Sequence, residues 1–78
     1  MTLADLQLGQ RVVIRHVDTT DRHARRLMVL GLVEDAELTF CGAAVGGDPL
    51  EFRLHGAAIS LRRAQAEAFS VEAVGSEA

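Results

Sequence analysis

Lysine, tryptophan and tyrosine are absent from these 78 residues, cysteine and proline occur once each, and three phenylalanines make up the aromatic content. Each shortage excludes something. A single cysteine, Cys41, forbids an internal disulfide and favours a reducing, cytoplasmic setting. With so few rings, a surface that stacks bases is not expected. The net charge of −3 also lacks the basic excess of a nucleic-acid binder. No apolar run approaches the roughly 18–20 residues of a membrane span. The stretch from Met1 to Leu6 does not have the basic-then-apolar order of a signal peptide, so a soluble chain is expected.

What is present suits one small domain. A chain of this size buries only about 60–65% of its unfolded surface, so the core must be thin. Arg25 to Leu38 reads as a helix end, a glycine stop, a turn and a strand entry. Asp18-Thr19-Thr20-Asp21 is dense in capping residues, with Thr20 or Asp21 as the N-cap. Ala24, Leu27, Met28 and Gly31 fall on one side at helical spacing, and Arg22, Arg25 and Arg26 on another. Gly31 fits the position just past a helix end, where positive φ is needed. This helix is expected to plug or cover a set of short strands.

Those strands are read as Arg11–Val17, Glu37–Cys41, Leu50–Leu54, Ala57–Leu61 and Ser70–Val74. The first is β-branched and apolar on both faces near its middle. Leu50, Phe52 and Leu54 alternate with Glu51 and Arg53, the period of a half-buried strand. His55-Gly56 is a two-residue hairpin turn, returning a strand that places Ile59 and Leu61 in the core. Thr2 caps a brief helical turn, and Arg62–Ala68 forms another before the last strand. The tail, 76–78, is expected to fray. Five short strands with one inserted helix point to a mainly β fold: a small SH3-like barrel with an α-helix between its first two strands and a short helical turn before its last. Closing the sheet is the natural way to remove its edges.

For catalysis, Cys41 sits in no sequence signature of a cysteine enzyme. Gly46-Gly47 lacks the lysine and following helix of a phosphate loop. A barrel this small also has little interior for a substrate, and no enzyme is expected. His16, Asp18, Asp21 and His23 lie within eight residues, and imidazole with carboxylate suits zinc or ferrous iron. His16 and His23 are therefore the metal candidates, for a weak surface site. Arg22, Arg25 and Arg26 could grip an acidic partner, and Arg62-Arg63 adds a second basic pair. The loop from Ala43 to Pro49, irregular and mostly apolar, is the stronger interaction candidate.

Three segments in order resemble the ferrous iron transport protein A (FeoA) family. They are Arg26-Leu27-Met28-Val29-Leu30-Gly31-Leu32-Val33, Ala43-Ala44-Val45-Gly46-Gly47-Asp48-Pro49-Leu50, and Ile59-Ser60-Leu61-Arg62-Arg63 with Ala66-Glu67. They match that family's R-x-L-x-x-L-G-hydrophobic segment, its A-P-L-G-D-P-I-like loop and its late S-L-R-basic turn. Two departures stand out. Glu34-Asp35 replaces the usual proline-glycine turn, which aspartate can still form in the left-handed region. Val45-Gly46 replaces a proline-leucine pair and loosens the loop.

The resemblance implies one FeoA-like domain over residues 1–75, a small cytoplasmic accessory of ferrous iron uptake with no required cofactor. Its implied partner is a FeoB-type transporter with a G-protein-like cytosolic domain, through which alone it would meet the membrane. A weak homodimer is allowed, and nucleic acid is not a partner. The expected contact region is Leu30, Gly31 and Leu32 with Gly46, Gly47, Asp48 and Pro49. The competing class is a metal-responsive regulator or carrier acting through the surface histidines.

Overall fold

The computed structural model describes residues 1–74; the expectation for the tail, and residue 75 of the expected domain, lie outside them. A short 3-10 helix, Leu3–Asp5, precedes β1 (Arg11–Val17), α1 (Arg22–Val29), β2 (Glu37–Ala43), β3 (Leu50–Leu54), β4 (Ala57–Leu61), α2 (Arg63–Ala66) and β5 (Phe69–Ala73). All five strands pair antiparallel in the order β4-β3-β2-β1-β5. The mainly β, SH3-like architecture is as expected. The ladder is not closed, however: among the described residues β4 and β5 do not pair, so the sheet curls without becoming a full barrel.

The core lies on the concave face of this sheet, and the strands build most of it. Leu38 and Phe40 of β2 face Leu50, Phe52 and Leu54 of β3, all buried, as alternation predicts. The Phe40 and Phe52 rings meet at 5.4 Å and 52°, a tilted arrangement that suits their quadrupoles. In β1, Val12 and Ile14 are buried, but so is Val17, three residues further on. A bulge makes this parity change: Ile14 pairs with Val71 and His16 with Ser70, leaving Arg15 as the extra residue. A second bulge leaves Cys41 outside the β2–β3 register, and its thiol is exposed.

The helix is a smaller organiser than its sequence suggests. Only Ala24 of α1 is fully buried, and Leu27 and Met28 pack half-buried against the core. Eight residues are too few to cover five strands. Ile59, expected in the core, is half-buried because β4 is an edge strand with no paired neighbour beyond it among the described residues. Leu3, from the 3-10 helix, is fully buried instead. Thr2 holds that turn in place: its hydroxyl accepts from the Ala4 N–H, while its own N–H donates to Asp5 Oδ2 at 2.8 Å.

Candidate functional site

The α1 stop is built from local chemistry. Asp21 caps the first turn, its carboxylate accepting from the N–H groups of His23 (2.8 Å) and Ala24 (3.1 Å). At the other end Gly31 N–H donates to Met28 O (3.0 Å) and Leu32 N–H to Leu27 O (3.2 Å), the paired bonds of a Schellman motif. Gly31 has φ +112°, and a Cβ there would lie 3.3 Å from Leu54 Cδ2. A left-handed residue at this point reverses the chain and drives Leu32 fully into the core. Leu32 was expected on the contact surface; the turn that exposes its neighbours buries it. Asp35 adopts φ 73°, so the turn after the helix survives without proline-glycine.

The same reversal leaves Val29 85% and Leu30 67% exposed, with Val33 at 38%. Helical spacing puts Val29 amid Arg22, Arg25 and Arg26, on the side away from Ala24 and Met28. Arg25 donates to Thr19 O at 3.0 Å. The ion pairs among the described residues use only Arg11 and Arg15, with Glu37, Asp35 and Glu72. The surface is thus an apolar step at a helix end, flanked by guanidinium groups that form no ion pair among the described residues.

The second expected contact segment lies elsewhere. Its loop is tied by Ala44 N–H to Pro49 O (3.0 Å) and Gly47 N–H to Ala44 O (2.8 Å). Arg63 staples it to the body: Nη2 donates to Gly47 O (3.0 Å), Nη1 to Ala4 O (2.9 Å), and its backbone N–H to Asp48 Oδ1 (3.0 Å). Asp48 and Gly47 therefore hold the fold together, while Val45 at the loop apex is fully exposed. Gly46 and Gly47 both have positive φ, and Pro49 directly precedes β3. This loop adjoins the Leu50 end of β3, whereas Gly31 lies against Leu54 at the other end. Four strand rises, about 13 Å, separate what the sequence suggested as one region.

The metal candidates are not gathered. His16 and His23 are both exposed, and no group of three or more His, Cys, Asp or Glu residues among the described residues could hold an ion. The two intervening carboxylates are already engaged. Asp21 caps α1, and Asp18 Oδ1 accepts from the Thr20 hydroxyl (2.6 Å) and N–H (3.1 Å). Those bonds, the hydroxyl first, hold the Asp18 carboxyl below its usual range; the Thr2 N–H and hydroxyl do the same for Asp5. Two exposed imidazoles without a third donor do not fit a resident metal.

A model of the FeoA domain matches residues 1–73. The chain belongs to the FeoA family. The FeoA protein of Chlorobium tepidum is 36% identical, with a TM-score of 0.87 over 96% of this chain and 71% of that one. The FeoA-like protein of Clostridium acetobutylicum is 28% identical, with a TM-score of 0.88 over 95% and 86%. The Stenotrophomonas maltophilia FeoA, 33% identical with a TM-score of 0.81 over 92% and 89%, was solved with zinc. It is described as a prokaryotic SH3 domain protein and a suggested activating factor for ferrous iron transport. No curated protein matches at the level of sequence. This FeoA chain is a small protein associated with ferrous iron transport, of an accessory family not known for catalysis. No helix among the described residues is long and apolar enough to cross a membrane.

Proposed function

We propose that this FeoA protein regulates ferrous iron uptake by docking on the cytosolic part of a FeoB-type transporter. The docking surface is the α1 stop: Leu30 beside Gly31, with Val29 and Val33, and with Arg22 and Arg26 around them. The exposure of Val29 and Leu30 carries the reading. Valine and leucine side chains left in water beside a glycine-fixed turn favour burial against a partner, and the flanking arginines select an acidic rim. Gly46, Gly47, Asp48 and Pro49 form a second contact that presents Val45, with Leu32 supporting the first from within. The protein works in the cytoplasm as a binding module, performs no reaction, needs no cofactor and reaches the membrane only through the transporter. In a co-purification with the transporter's cytosolic domain, Leu30→Asp should abolish capture while leaving the fold intact. Undiminished capture and iron uptake would defeat the proposal.

The zinc in the Stenotrophomonas maltophilia relative supports a second reading, a metal-responsive regulator. In it His16 and His23, too few to hold a resident ion by themselves, take up metal only with donors from a second molecule. Calorimetry with zinc or ferrous iron separates the two. Heat of binding that vanishes in the double variant His16→Ala, His23→Ala would favour regulation by metal; none is expected from a docking module.

A further inference from the structure

The two edges of the sheet are treated differently by this fold. Beyond β5 the amino terminus covers the edge: Val71 N–H donates to Met1 O at 2.9 Å, and Thr2 bridges Ser70. Beyond β4, among the described residues, nothing pairs. His55 (φ 53°) and Gly56 (φ 82°) form the two-residue turn before it, which makes Leu54 and Ala57 a hydrogen-bonded pair. Alternation then gives the N–H and C=O groups of Ala57, Ile59 and Leu61 to β3 and points those of Ala58 and Ser60 outward. Ala57-Ala58-Ile59-Ser60-Leu61 contains no charge, proline or bulge, the usual devices that keep such an edge from pairing.

We infer that the β4 edge is a self-pairing surface, joining two copies of this chain through antiparallel β4 strands about a two-fold axis at Ile59. In that register Ala58 opposes Ser60 of the second copy, and every outward N–H meets an outward C=O. The two half-buried Ile59 side chains meet at the axis. The outer face selects this register by charge. Arg53 lies behind Ala58 and Glu51 behind Ser60, so each Arg53 shares a row with Glu51 of the other copy. The two stand three strand spacings apart, about 14 Å, and Ala58 and Ser60 between them are short. Arg53 Nη1 donates to Gly56 O (3.1 Å) in the single chain and turns from it toward Glu51 on pairing. Centring on Ala58 would set Arg53 against Arg53, and centring on Ser60 would set Glu51 against Glu51. Both leave outward groups unpaired. A strand from an unrelated protein would satisfy the backbone equally well, but the self-complementary order of charges favours a second copy.

The contact is small, well under ~1,000 Å², which makes for a weak, transient dimer. Sedimentation equilibrium up to millimolar concentration, with concentration-dependent amide shifts in parallel, provides the test. Association should appear at high micromolar concentration, with shifts centred on Ala58 and Ser60. Glu51→Arg or Arg53→Glu alone should weaken it by on the order of tenfold, and the double exchange should restore it. Ser60→Pro removes an outward N–H without touching a β3–β4 bond and should abolish it. A monomer at every concentration, shifts centred elsewhere, or single charge variants that associate like wild type would overturn the inference. The charge variants remain decisive should the proline variant fail to fold.

Discussion

Arg63 joins three segments that are distant in sequence, and removing its side chain is the sharpest test of how the fold holds its long loop. Arg63→Ala deletes the bonds to Ala4 O and Gly47 O while leaving the backbone N–H on Asp48. Hydrogen bonds from a charged donor contribute about 1.5–3 kcal/mol when sheltered. Arg63 is exposed, so roughly 0.5–1 kcal/mol each is the appropriate scale. The sum, about 1–2 kcal/mol, is a large share of the stability of a domain this small. It corresponds to a fall in Tm of roughly 5–15 °C. Urea and thermal unfolding should show the loss, and hydrogen exchange at the Gly47 amide should accelerate more than at Phe52 in the core. Arg63→Lys should recover no more than about half, because an ammonium lacks the fork that spans two carbonyls. A Tm within about two degrees of wild type would refute the staple.

Gly31→Ala should cost about 1–3 kcal/mol in urea unfolding, from positive φ and the approach to Leu54. Leu32→Ala empties a fully buried site and should cost about 2–5 kcal/mol, whereas exposed Leu30→Ala should stay within about 0.5 kcal/mol; equal losses would contradict the burial assigned to this turn. For pH, Asp5 and Asp18 hold their protons less tightly folded than unfolded. Their stabilisation is therefore present above the ordinary carboxylate range and is lost as pH falls through the lower native values. Urea midpoints between about pH 6 and 2 should decline on acidification, and Asp18→Asn should flatten part of that decline.

Local chemistry made several elements legible in the sequence. Asp21 as an N-cap, Gly31 past the helix end and His55-Gly56 as a hairpin turn each depend on a few adjacent residues, whose torsional needs do not change with context. The motif order around Leu30–Gly31, Gly46–Pro49 and Leu61–Arg63 was likewise enough to suggest the family. The bulge at Arg15 was not legible, because β1 is apolar on both faces and either parity satisfies the pattern. Its position depends on which residues of β5 lie opposite.

Where this chain turns, where its helix stops and which strands alternate follow from neighbouring residues, since each is settled within a turn or a strand length. Long-range packing set what those residues present to solvent. It turned Leu32 inward and Val29 outward, and put the glycine loop at the far end of β3 from the helix stop. It brought Arg63 to Ala4 across 59 positions and, among the described residues, covered the β5 edge but not that of β4. Each of these depends on which distant segment occupies the space alongside, and packing settles that only when the whole sheet has formed.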